Sequence, residues 1–280
     1  MKPRISVITA VYNSEDFIWE TIENVLNQTF TDFEYIIIND GSSDRTKEII
    51  ESFNDKRIVL INNKENIFPK KALNIGLRKA KGKYIAIIDG DDVWEEDKLE
   101  VQYNFMEENK DIYLCGTSAR YINERGRELR RFRKYNKPNI LMWRLPQSCG
   151  IIHSSIIFRN TGEFFYNDEY PCAFDYALYL KMLSKGKLIT NIPRFLVRYR
   201  VHGNSISSKR EQQKQITDKL QNEYSYLNDL VGNYKKFFYR IFLLLFYLRT
   251  IVEKRGTLIN LKNELRLRFT DDEIKLRRML

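Results

Sequence analysis

The chain is poor in the residues that mark several common protein classes. Its three cysteines, Cys115, Cys149 and Cys172, form no paired framework and no Cys-x-x-Cys motif. That argues against a disulfide scaffold and a structural zinc, and for a reducing compartment. No apolar run reaches the roughly 20 residues needed to span a bilayer. The opening Met1-Lys2-Pro3-Arg4 leads straight into a strand-like segment without the apolar stretch and cleavage site of a signal peptide, so secretion is not expected. The segment Val11-Tyr-Asn-Ser-Glu-Asp16, after the first predicted strand, holds no glycine. A dinucleotide oxidoreductase needs a glycine-rich turn there, and a P-loop is also missing. Histidine is limited to His153 and His202.

What is present suits a folded core, with 43% hydrophobic and 30% charged residues in 280. Lys and Arg number 47 against 37 Asp and Glu, for a formal charge of +10, which favours an anionic partner. A nucleic-acid-binding module is disfavoured, because the aromatics are not interleaved with the bases as stacking platforms.

Short β-branched runs (Ile5 to Val11, Tyr35 to Ile38, Ile58 to Ile61, Tyr84 to Ile88) alternate with helical spacing. Ile18, Ile22, Val25 and Leu26 mark one apolar helix face, and Leu99, Tyr103 and Met106 another. Strand and helix in alternation predict a parallel sheet covered on both faces. Ligands of such sheets collect at the carboxyl ends of the strands. Those ends are polar here: Tyr12-Asn13-Ser14, Asn39-Asp40-Gly41-Ser42-Ser43-Asp44 and Asp89-Gly90-Asp91-Asp92. Residues 120 to 137 carry a basic run that reads as a mobile charged loop, residues 150 to 159 are strand-like, and Asp175 to Leu183 is helical.

Asp89-x-Asp91 is the leading chemical signal. Carboxylates on alternate residues after a buried strand can divide the work, one holding a divalent cation and the other a ribose or the ion's waters. Mg²⁺ and Mn²⁺ prefer oxygen ligands and bridge a carboxylate to substrate phosphates. Asp89, Asp91 and Asp92 repel one another unless a cation relieves them. Asp40 can accept hydrogen bonds from a base N–H or a ribose hydroxyl, whereas Ser43 and Asp44 are explained as helix caps. A metal-dependent phosphohydrolase acting on a nucleotide-diphosphate compound could use the acidic cluster alone.

Together, Ser6-Val-Ile-Thr-Ala-Val-Tyr-Asn13, Asn39-Asp-Gly-Ser-Ser-Asp44, Gly82-Lys-Tyr-Ile-Ala-Ile-Ile-Asp-Gly-Asp-Asp92 with Trp94, and Tyr199-Arg-Val-His-Gly-Asn-Ser-Ile-Ser207 resemble the successive blocks of the family 2 inverting glycosyltransferases of GT-A fold. The resemblance covers roughly residues 4 to 208. It implies a Rossmann-like, mixed but mostly parallel sheet flanked by helices. It also implies transfer of a sugar, with inversion, from a nucleotide-diphosphate donor (a UDP-sugar is favoured) to an acceptor hydroxyl.

By the same resemblance, Ala10 and Tyr12 match the base-contacting loop, Asp40 the acid on the base, and Asp89 the residue at the ribose and donor sugar. Asp91 matches the ligand of Mn²⁺ or Mg²⁺, with His202 completing the metal or diphosphate site. Asp175 matches the general base, with Phe174 in place of the usual Glu. His153 and Trp94 fall near the acceptor pocket. Phe68 stands where glycine is common and is expected to reshape the donor side, and Lys70 and Lys71 lie within reach of phosphates. Read without the resemblance, Asp175 is better explained as a first-turn acid favoured by the helix dipole, and His202 reads equally well as a surface residue in a turn.

The expected organisation is a GT-A domain over residues 1–208, divided into a nucleotide-binding half (1–115) and an acceptor-binding half (116–208), followed by a helical extension over 209–280. The extension holds 16 basic and 9 acidic residues. Phe237 to Arg249 is apolar and aromatic between basic flanks, as an interfacial anchor on an anionic leaflet requires. A helix packed on its own domain or on a second subunit, as in a homodimer, fits the same residues. The resulting expectation is a peripheral enzyme at the cytoplasmic face of the membrane, acting on a lipid-linked saccharide in surface-polysaccharide synthesis.

Overall fold

The structure, a computed structural model, describes residues 2–132, 138–203 and 210–228. The β-branched runs become neighbouring strands. β1 (Ile5–Val11) pairs in parallel with β2 (Phe33–Asn39) on one side and β4 (Tyr84–Ile87) on the other, and β3 (Ile58–Asn62) extends the sheet beyond β2. Alternate residues enter opposite layers, as the pleat requires. Ile8, Ile36, Ile38 and Ile87 lie in one core, and Val7, Tyr35, Ile37 and Ala86 in the other. Both faces are buried, so these strands read as continuous apolar runs.

Helices α1 (Ile18–Leu26), α2 (Thr46–Glu51) and α3 (Pro69–Lys79) make the crossovers. Ile18, Ile22 and Val25 of α1 are buried, as their spacing predicts. The short β5 (Val93–Trp94) and helix α4 (Lys98–Glu108) lead into the long β6 (Ile112–Ile122).

Beyond β6 come β7 (Glu128–Phe132), α5 (Pro138–Arg144), β8 (Ile157–Arg159), α6 (Phe174–Ser184), β9 (Leu188–Arg200) and α7 (Arg210–Glu223). They complete one sheet of order β3-β2-β1-β4-β8-β6-β9-β5, with β7 on β6. β8 runs antiparallel between β4 and β6, while β6 and β9 are parallel.

Two expectations change. The basic stretch is a hairpin as far as Phe132, because its charges are partnered. Arg120 meets Glu95 at 2.6 Å, Arg131 meets Glu128 at 2.7 Å, and the Arg130 guanidinium lies 4.3 Å from the Tyr121 ring. Within the strand-like stretch 150–159, only β8 is a strand, and His153–Ser155 form a single 3₁₀ turn. The expected apolar helix over 237–249, and the extension beyond residue 228 as a whole, lie outside the described residues. Among the described residues no helix is long and apolar enough to cross a membrane.

Candidate active site

The carboxyl ends of β1, β2 and β4 form one rim, and their loops are tied together there. The Asp40 N–H donates to the Val11 carbonyl (2.8 Å), Ser43 N–H to Asn13 Oδ1 (2.9 Å) and Ser14 N–H to Thr46 Oγ1 (2.8 Å). Asp44 accepts from the Thr46 N–H at 3.0 Å, the expected cap, and also from the Glu15 N–H at 3.1 Å. Gly41, at φ +73, is required: a Cβ there would stand 2.5 Å from the Glu65 carbonyl carbon.

Asp40 is 2% exposed. Its Oδ1 accepts from Asn63 Nδ2 (2.7 Å) and the Ile67 N–H (3.1 Å), whereas Oδ2 is buried without a partner among the described residues. A buried carboxylate oxygen normally accepts a hydrogen bond, and a base N–H is a donor of the kind that would suit it. Ala10 is partly buried in β1 beside Ile38, and the Tyr12 ring is 46% exposed at the strand end.

The three acids after β4 do not crowd one ion. Gly90 fixes their spacing, since a Cβ on it would lie 2.3 Å from Val11 Cγ1. Asp89 is held at both oxygens: His153 Nδ1–H donates to Oδ1 at 3.1 Å and Ser154 Oγ to Oδ2 at 2.9 Å, while Ser154 Oγ accepts the Asp89 N–H at 3.0 Å. Asp91 Oδ2 accepts from His202 Nε2 at 2.7 Å. Asp92 turns inward, fully buried, and accepts the Arg200 N–H at 2.7 Å. Each acid thus has its own partner, yet Asp89 still raises Asp91, and both still raise Asp92.

Charges follow these contacts. Burial works against the Asp89 carboxylate, but the charge and hydrogen bond of His153, with Ser154, hold its pKa below the usual range. Burial and then the neighbouring Asp89 push Asp91 up, against the pull of His202. Burial, then Asp91 and Asp89, raise Asp92 well above the ordinary value.

The Asp91 and His202 pair fits a divalent cation. It offers one hard oxygen donor and one imidazole, a set that Mn²⁺ accepts once the ion takes the place of the proton shared between them. Among the described residues no group of three or more His, Cys, Asp and Glu side chains forms an ion cage. An ion held by this pair would therefore complete its shell with substrate oxygens, as these ions commonly do.

Asp175 lies in the first turn of α6, behind Ala173 in the left-handed region at φ 52. Burial raises its pKa, His153 opposes that rise and Asp89 adds to it. Asp175 and Asp89 therefore act on the same imidazole. The second nitrogen of His153 meets Tyr166 Oη at 2.8 Å. Phe174 packs edge-on against both His153 and Tyr166, with centroids 6.0 and 5.6 Å apart; it walls the site where a second acid was the family expectation.

Two assignments to the acceptor change. Trp94 is fully buried, its indole N–H donating to the Ser154 carbonyl at 2.7 Å, so it offers an acceptor no surface and instead supports the 3₁₀ turn from below. His153 has a side chain only 10% exposed and both nitrogens engaged, so it holds Asp89 in place of reaching an acceptor. Lys70 donates to the carbonyls of Asp168 and Tyr170, so its ammonium secures a loop.

Sequence reasoning gave no role to Ser154, Tyr166 or Arg200. Arg200 is 2% exposed and donates to the Asp91 carbonyl (2.7 Å), the Glu124 carbonyl (2.8 Å) and Glu20 (2.5 Å), joining β9 to the acidic loop.

The fold and the family match define a glycosyltransferase of GT-A type. TarS of S. aureus, in complex with UDP-GlcNAc, superposes with a TM-score of 0.64 over 82% of this chain and 72% of that chain, at 18% identity. The mannosyltransferase PcManGT from Pyrobaculum calidifontis, in complex with GDP-Man and Mn²⁺, gives 0.60 over 100% and 83%, at 16% identity. Residues 6–162 match the model described as Glycosyl transferase family 2, and the chain belongs to that family.

Among its relatives, the UDP-Glc:alpha-D-GlcNAc-diphosphoundecaprenol beta-1,3-glucosyltransferase WfaP of Escherichia coli is 35% identical over 206 residues, 74% of this chain and 80% of that protein. The putative teichuronic acid biosynthesis glycosyltransferase TuaG of Bacillus subtilis is 33% identical over 214 residues, 75% of this chain and 83% of that protein. No finding supports the phosphohydrolase alternative.

Proposed function

We propose that the protein transfers a sugar, with inversion, from a UDP-sugar to a hydroxyl of a lipid-linked saccharide in surface-polysaccharide synthesis, with Asp175 as general base. The observation carrying this reading is that His153, bonded to Asp89 at 3.1 Å, packs 6.0 Å between centroids from the ring of Phe174, the residue that precedes Asp175 in the first turn of α6. That contact supports placing the acid that would receive the acceptor's proton on the same side as the acid at the donor sugar.

In this reading Asp40 accepts a base N–H through Oδ2, Tyr12 and Ala10 flank the base, and Asp89, clamped at both oxygens, orients the ribose and donor sugar. Asp91 and His202 would hold Mn²⁺ or Mg²⁺, which when bound supplies positive charge to the departing diphosphate. The acceptor O–H gives its proton to the Asp175 carboxylate. Its oxygen forms a bond to the anomeric carbon on the face opposite the diphosphate, and the bond from that carbon to the diphosphate oxygen breaks, the electron pair leaving with the diphosphate. A base raised in pKa is better matched to that proton transfer than an ordinary Asp.

The lipid-linked acceptor is supported by the resemblance to WfaP and by the basic, aromatic composition of residues 233–280. The same composition supports a peripheral site of action on the cytoplasmic leaflet. Incubation with a panel of UDP-sugars, Mn²⁺ and a polyprenyl-diphosphate saccharide is the test. The expected product is an extended saccharide with inverted anomeric configuration. Free sugar as the main product, with or without acceptor, would overturn the reading.

A further inference from the structure

Phe68 occupies a backbone conformation, φ +72 and ψ +148, that is nearly confined to glycine, and its ring is 65% exposed. The conformation is secured on both sides. The Phe68 N–H donates to Asn66 Oδ1 at 2.9 Å, and its carbonyl accepts from the N–H groups of Lys71 (3.0 Å) and Ala72 (3.1 Å) at the start of α3. Core packing does not account for an aromatic ring here. Glycine would take the same backbone without strain, and most of the ring's surface faces solvent.

The position relative to Asp40 gives the ring a use. Phe68 directly follows Ile67, whose N–H donates to Asp40 Oδ1, and Tyr12 directly follows Val11, whose carbonyl accepts the Asp40 N–H. Each exposed aromatic is therefore one residue from a bond to the acid whose Oδ2 is buried and unpartnered. A planar heterocycle with an N–H edge fits those three features: the edge meets the carboxylate and the faces meet rings.

We propose that Phe68 is a nucleobase-binding residue, forming a stacking wall of the donor site opposite Tyr12. This rests on the nucleotide-sugar reading above and extends it. Stacking tolerates any base, since every base has a π-face. Phe68 accordingly supplies nucleotide affinity while Asp40 supplies the preference for a base edge that donates.

The test is calorimetric titration of the full chain, in Mn²⁺, with UDP and with inorganic diphosphate, which lacks a base. Phe68→Gly is expected to weaken UDP binding about tenfold, to leave diphosphate binding unchanged and not to lower the thermal midpoint of the ligand-free protein. Phe68→Leu, which keeps a side chain without a π-face, should weaken UDP binding similarly, and Phe68→Tyr should retain it. Wild-type UDP affinity in Phe68→Gly or Phe68→Leu overturns the proposal, as does an equal loss of diphosphate binding, which would mark a structural role. A wild-type protein that binds diphosphate but gains nothing from uridine would overturn the donor reading itself.

Discussion

The imidazole of His153 lies against Asp89, Nδ1 to Oδ1 at 3.1 Å, and so carries a proton on that nitrogen, because a carboxylate only accepts. Burial alone would lower the His153 pKa. The charge and hydrogen bond of Asp89, with the charge of Asp175, outweigh it and the net shift is upward.

That relationship has a pH signature. A raised histidine pKa stabilises the fold fully below its unfolded value, about 6.5, and the contribution is lost as pH rises through the folded value. The depressed Asp89 contributes above its unfolded value, about 3.9, and loses that as pH falls through its folded value. Thermal melts of wild type and His153→Gln from pH 5 to 9 should differ most near pH 5 to 6 and converge as pH rises. A gap that is constant over that range would count against a charged His153.

Asp175→Asn removes the proposed base and leaves the proposed donor residues in place. Turnover should fall by a factor on the order of 10²–10⁴, with UDP binding by calorimetry unchanged. Wild-type turnover would take Asp175 out of its role.

Asp91→Ala deletes the oxygen donor of the pair with His202. UDP affinity should then no longer respond to added Mn²⁺, leaving only the metal-independent part that the base site supplies. A full Mn²⁺ response in the variant would place the ion elsewhere.

Arg200→Met leaves the carbonyls of Asp91, Asn123 and Glu124 without the guanidinium they share. Part-buried acceptors left without a donor, together with the lost packing of a buried side chain, are costly, so urea denaturation should show a loss of about 1–3 kcal/mol. Arg200→Lys should recover little, because an ammonium cannot reproduce the planar fork.

Much of the donor half was legible because it is local. The continuous runs of β1, β2 and β4 imply strands covered on both faces, and Asp40, Asp89 and Asp91 stand where such strands end. Gly90 shows why the acids are spaced as they are: the backbone between them touches Val11. The second half was harder to read because its contacts bridge distant segments. Tyr166 reaches His153 from an irregular stretch, steadied by Asn74, whose side chain exchanges two hydrogen bonds with the Tyr166 backbone at 2.8 and 2.9 Å. The available signal was Asn74 itself, a polar residue among the buried positions of α3. Trp94 misled because its assignment was carried over from the resemblance, and burial is not visible in one residue type. The hairpin was missed because a count of arginines does not reveal which glutamates face them.

β6 runs unbroken through residue 115, the boundary between halves expected from the sequence, and bonds to β8, β9 and β7 along its length. Anyone grafting the downstream half onto a sister enzyme to redirect its product should keep that strand whole. A junction cut through it would sever the shared backbone ladder, and a crossover placed in the loop ahead of Ile112 would preserve it.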